Sequence, residues 1–155
     1  MPVDLQFADG IQAEILVGDL QVWLAQVAVT ADADITSALL CVRVCDEAES
    51  RQLNMTYRGI DKPTNVLSFA ADVDVPDVQV LGDLAICWPV VEQEAAAQAK
   101  LVAHHFMHLF VHGVLHLLGF DHEDSAEAHQ METLEIRILR QLGVTNPYEA
   151  PLAGA

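Results

Sequence analysis

The chain has 155 residues, 52% of them hydrophobic, with 23 acidic against seven basic residues and a formal net charge of −16. That length suits a single domain over residues 1–155 that buries roughly 70% of its unfolded surface, and the apolar content excludes a disordered protein. The charge excludes a basic face for nucleic acid, so a polyanionic substrate must be held by a local site rather than by the overall field.

Near the N-terminus, Val3, Leu5 and Phe7 alternate with Asp4 and Gln6 and predict a short half-buried strand. Leu16, Leu20, Trp23, Leu24 and Val27 recur at helical spacing and predict an amphipathic helix over 12–29. Residues 39–45 form an apolar, strand-like run, after which Asp46 caps a helix reaching about Tyr57. A loop over 58–64 leads to a strand at 66–69, a hairpin-like excursion over 70–80 rich in Asp, Val and Pro, and a further strand at 84–87. Pro89 suits the first turn of an Ala- and Glu-rich helix extending to Lys100.

Residues 101–120 carry no formal charge and are the one candidate for a membrane span. They hold five histidines (104, 105, 108, 112 and 116), which are costly in a bilayer, and read instead as a buried helix with a working edge that stops at Gly119. Asp124 with Glu127 resembles a capping box for a last helix marked by Met131, Leu134, Ile138 and Leu142 and closed by Gly143. The fold expected is α+β: a small mixed sheet of about four strands covered by about five helices. Cys41, Cys45 and Cys87 form no CxxC pair and read as buried, reduced thiols. No Lys or Arg precedes Arg43, so neither a secretory signal nor a transit peptide is expected, and the cytoplasm is the expected compartment.

The segment HGVLHLLGFDH, residues 112–122, carries the chemistry. His112 and His116 lie one helical turn apart, close enough for both imidazoles to reach one ion. Gly119 tolerates the left-handed backbone that ends a helix, and His122 can then return as a third nitrogen ligand. Neutral imidazoles suit one Zn²⁺, and three protein ligands leave a position for water or substrate, the pattern of a metalloprotease-like catalytic site on a helix. His108 extends the same stripe as a candidate supporting group, and Asp121 and Asp83 can orient a ligand histidine through its second nitrogen or can equally serve as helix-end and turn carboxylates. His104, His105 and His129 are expected at the surface or in caps. The spacing also matches the metzincin proteases, but Gly113 stands where those carry the glutamate base, so a peptidase would need its base from elsewhere.

Residues 112–122 resemble the signature of the YbeY family, bacterial endoribonucleases that act as ribosomal RNA maturation factors. YRGIDKPTNVLSF at 57–69 and LGDLAIC at 81–87 resemble the family's second and third motifs, in order and spacing, and PYEA near the C-terminus is also family-like. The resemblance implies a zinc site on His112, His116 and His122, an active-site arginine at Arg58, and metal-dependent hydrolysis of single-stranded RNA. It also implies maturation of the small-subunit ribosomal RNA 3′ end, late ribosome quality control, and contact with ribosomal proteins or ribosome-associated factors, with no membrane involved. Asn65 stands where the family usually has Asp, and Phe120 where it usually has Tyr. Chemically, the Arg58 guanidinium can clamp phosphate oxygens bidentately, whereas on the residues alone a surface ion pair accounts for it equally well. Two other functions remain open: a zinc peptidase, and a non-catalytic assembly factor with a structural metal, whose acidic surface would attract basic ribosomal proteins.

Overall fold

The computed structural model describes residues 2–35, 37–71 and 79–148. In chain order these form β1 (Val3–Phe7), α1 (Val17–Thr30), β2 (Leu39–Cys45), α2 (Glu47–Arg58), β3 (Val66–Ala70), β4 (Val80–Cys87), α3 (Trp88–Ala97), α4 (Val102–Leu117) and α5 (Ser125–Gln141). The sheet order is β1-β2-β4-β3, with β1, β2 and β4 parallel and β3 antiparallel to β4. The architecture is therefore the expected α+β fold, with a mixed four-stranded sheet and five helices among the described residues. The expected excursion over 70–80 falls largely on 72–78, outside those residues.

Strand alternation decides which side is core. Leu40, Val42 and Val44 of β2 and Leu84 and Ile86 of β4 are buried, while Leu39, Cys41 and Arg43 sit half-buried on the other face. Against the buried face lies α4, whose Phe106, Phe110, Val111, Val114 and Leu115 are completely inaccessible. Trp23 of α1 packs its ring on Phe110 at 5.6 Å and on Phe106 at 6.2 Å, and α5 closes over both helices. No described helix is long and apolar enough to cross a membrane. Residues 101–120 spend their apolar character inside the protein.

Local chemistry sets most boundaries. The Asp46 side chain accepts from the Glu49 backbone N–H at 2.8 Å and opens α2; Asp124 does the same for Glu127 at 2.8 Å and opens α5. Such a cap contributes about 1 kcal/mol. Three expected boundaries move: β4 begins at Val80 rather than at residue 84, α3 ends at Ala97 rather than at Lys100, and α1 begins at Val17 rather than at residue 12. Ile15 is drawn into the core while neighbouring Leu16 is 67% exposed, the alternation of extended chain, so Leu16 precedes the helix instead of joining its apolar stripe. Cys45 and Cys87 are buried free thiols, adjacent in the β2–β4 register, whereas Cys41 is only half-buried.

The helix–sheet spacing depends on Gly113. A Cβ built there would stand 2.7 Å from Leu84 Cδ2 and 3.3 Å from Ser68 Oγ, and the Ser68 hydroxyl donates to the Gly113 carbonyl at 3.2 Å. In an open helical position Gly→Ala stabilises by roughly 0.5–1 kcal/mol. Here Gly113→Ala is expected to destabilise, by about 1–3 kcal/mol, because the fully packed Leu84 side chain must shift to admit the methyl. Urea unfolding decides the sign; a more stable variant would show that the close approach is not real.

Candidate metal centre

Three segments bring the histidines together. His108, His112 and His116 run along one half-buried edge of α4 while the opposite faces fill the core. The helix ends at Leu117, and Gly119 turns the chain at φ +99°, where a side chain would find space but not a comfortable backbone. Three residues later His122 returns to the edge. Ring centroids are 4.8 Å apart for His112–His116, 5.1 Å for His116–His122 and 5.8 Å for His112–His122. One potential ligand atom from each lies within 4.8 Å of the others, a candidate metal site.

The donor chemistry suits a cation. Glu135 of α5 is wholly inaccessible, and its Oε1 lies 2.5 Å from His112 Nδ1. Burial alone would push this carboxyl up, but the approach of His108 and hydrogen bonds from His112 and Tyr148 outweigh it and hold it at about 2. An ionised carboxylate can only accept, so His112 Nδ1–H is the donor and Nε2 keeps its lone pair for a metal. His116 is shifted below the ordinary histidine range, first by burial and then by its histidine neighbours, which favours the neutral imidazole that ligation requires. The Tyr148 hydroxyl donates to Glu135 Oε2, and burial beside that carboxylate pushes the phenol up. Lys100 anchors this segment by donating to the Pro147 carbonyl at 2.6 Å.

The other candidates separate. His108 Nε2 stands 3.7 Å from Glu135 Oε1 and 3.4 Å from the Tyr148 hydroxyl, so it joins the buried network around the carboxylate. Asp121 accepts from the His122 backbone N–H at 2.7 Å, with His122 Nδ1 3.7 Å from the same oxygen. Asp83 is not with them. It is exposed on β4, in register with Cys41 and Phe69, and does not line the cleft that holds the histidines. His105, expected at the surface, is buried and its Nε2 bonds Glu94 at 2.9 Å. Asn65 Nδ2 donates to that same carboxylate at 3.1 Å. An aspartate at 65 would place two carboxylates face to face, so the amide fits this chain.

Arg58 ends α2 and opens onto a cleft of about 860 Å³ that His108, His112, His116, His122 and Tyr148 also line. Arg43 pairs with Glu49 at 2.9 Å and Arg51 with Asp61 at 2.7 Å, but among the described residues no carboxylate pairs with Arg58. Unpaired among the described residues and sharing a cleft with the histidines, its guanidinium is available for an anion.

Sequence reasoning missed Glu135 and Tyr148. The first had a signal: it falls in phase with Met131 and Ile138 on the apolar stripe of α5, where an unpaired charge cannot be buried. Glu135→Gln keeps the volume but removes the charge that fixes the His112 tautomer. Metal affinity, measured by chelator competition, is expected to fall about 10–100-fold. Unchanged affinity would leave Glu135 as a packing residue only.

The family described as Endoribonuclease YbeY matches residues 10–143. A protein named Endoribonuclease YbeY from Halorhodospira halophila is 52% identical over 134 residues, covering 84% of this chain and 85% of its own length. One of the same name from Alteromonas mediterranea is 48% identical over 133 residues, covering 85% and 83%. A solution structure of a Thermotoga maritima protein superposes with a TM-score of 0.60 over 99% of both chains at 21% identity, a likeness of fold.

Proposed function

The chain belongs to the endoribonuclease YbeY family, and on that premise we propose that it is a metal-dependent endoribonuclease cutting single-stranded RNA, with one zinc ion on His112, His116 and His122 and Arg58 as the catalytic side chain. The observation that carries this reading is the shared cleft: an arginine with no carboxylate partner among the described residues lines it together with three histidines, one of them held in its ligating tautomer by a buried carboxylate. The setting proposed is the cytoplasm, with maturation of the small-subunit ribosomal RNA 3′ end and late ribosome quality control as the task, and with ribosomal proteins or associated factors as partners.

When bound, a divalent ion supplies Lewis acidity at a phosphoryl oxygen and lowers the pKa of water. The chain's own groups do the rest. Arg58 grips the phosphate by its two-pronged guanidinium and offsets the charge that builds on the oxygens as the diester opens. Glu135 keeps His112 turned toward the cleft, and the Tyr148 hydroxyl satisfies the second carboxylate oxygen, so the histidine edge is set before substrate arrives.

A peptidase reading finds no support at position 113. A Cβ there would already stand 2.7 Å from the buried Leu84 side chain, so a glutamate base has no room. The deciding experiment incubates metal-replete protein with labelled single-stranded RNA and, separately, with casein, each with and without chelator. Chelator-sensitive cleavage of RNA alone is expected. Casein cleavage would favour the peptidase, and silence on both substrates with binding to a basic ribosomal protein would favour an assembly factor with a structural metal.

A further inference from the structure

Tyr57, the residue before Arg58, is 65% exposed at the end of α2 and lines the same cleft as the histidines. It contributes nothing to the hydrophobic core, and its hydroxyl has no hydrogen-bond partner among the described residues. One contact steadies it: Phe69 of β3, another cleft-lining residue, meets its ring in a tilted arrangement with centroids 4.9 Å apart. A braced aromatic ring therefore stands in the open on the cleft that Arg58 also lines.

We propose that Tyr57 is a stacking platform for one unpaired nucleobase of the substrate, next to the phosphate that Arg58 holds. The inference rests on the endoribonuclease reading and adds to it the source of affinity and of strand selectivity. A chain of net charge −16 cannot gather RNA by its field. Stacking needs no charge, contributes about 1–3 kcal/mol per base, and tolerates any base because every base offers a π-face. It also selects against duplex. A paired base is already stacked on both sides and must be pulled out before it can reach the ring, whereas a single strand offers its bases at little cost. Phe69 has a clear part: by filling the space behind Tyr57 it limits the ring's rotation, so less freedom is lost when a base lands.

The test uses metal-loaded protein and short single-stranded oligoribonucleotides carrying 2-aminopurine at successive positions, with quenching of its fluorescence and cleavage followed together. Wild type and Tyr57→Phe should quench the probe at one position near the cut. Tyr57→Leu keeps apolar contact with Phe69 but has no π-face. It should lose that quenching, raise KM roughly five- to a hundredfold with kcat changed less, and lose part of the preference for single strand over hairpin. Thermal melting of Tyr57→Leu should match wild type, because the ring lies outside the core. A Leu variant that quenches, binds and discriminates like wild type overturns the platform while leaving the nuclease intact. A wild type that neither binds nor cuts the oligonucleotides overturns the nuclease reading, and the platform with it.

Discussion

Purified without chelator, the protein is expected to carry about one equivalent of a divalent transition metal, most readily zinc, and the His112→Ala, His116→Ala double variant to carry none. On the proposed assignment, losing two of the three nitrogen donors leaves His122 as a single, exposed ligand. RNA cleavage should fall by more than the roughly hundredfold typical of losing a mere supporting residue. His104→Ala is the control. His104 stands two turns before His112 on α4 and does not line the cleft, so its loss should leave metal content unchanged. Acid should mimic the double variant. Ligation requires neutral imidazoles, and protons compete for them as pH falls through roughly 6. Because His116 is shifted below the ordinary histidine range, its folded form binds protons less readily than its unfolded form, and its contribution to stability declines as pH drops through that window. Metal analysis by emission spectroscopy decides the matter; full occupancy in the double variant would move the site elsewhere.

Arg58→Glu is expected to reduce RNA cleavage by about 10²–10³-fold at unchanged metal content and unchanged melting temperature. Arg58 is exposed at the end of α2, so neither the core nor an ion pair among the described residues depends on it. The substituted carboxylate would stand beside the scissile phosphate and repel it. Arg58→Lys should recover only part of the rate, since it returns the charge without the bidentate fork. The acidity of the chain adds a second signature. Few phosphates can be contacted, so log affinity against log salt should have a shallow slope, reflecting about one to three contacts rather than six to ten. The comparison must be made at equal zinc occupancy. Equal rates for wild type and Arg58→Glu would return the arginine to the protein surface as an ordinary solvated charge.

The fold was legible wherever local chemistry determines it. Asp46 and Asp124 act as caps, and β2 spans 39–45 as its apolar run predicts. Where tertiary packing overrides pattern, the sequence misleads: Leu16 matches the helical period yet belongs to an extended segment, because Ile15 needs to reach the core. His112, His116 and His122 could be picked out because their spacing and the glycine break are contiguous in sequence, and the structure brings all three to one point. Glu135 could not be picked out by spacing, since it meets His112 at a separation of 23 positions and through the packing of α5 on α4. Asp83 had two readings, a support for a ligand histidine or an ordinary turn carboxylate, and it lies outside the cleft that holds the histidines. Proximity along the chain to a family-like motif says nothing about which face of a strand a side chain occupies, and register put it beside Cys41 instead.

The carboxylate that orients His112 comes from the last helix, and the hydroxyl that completes the carboxylate's bonding comes from residue 148. Ribosomes build chains from the N-terminus, so the three histidines leave the synthesis machinery before Glu135 and Tyr148 do. On the proposed assignment, a nascent chain can present all its imidazoles while they still rotate freely and lack a fixed tautomer. The His112 tautomer is fixed only when α5 docks on α4.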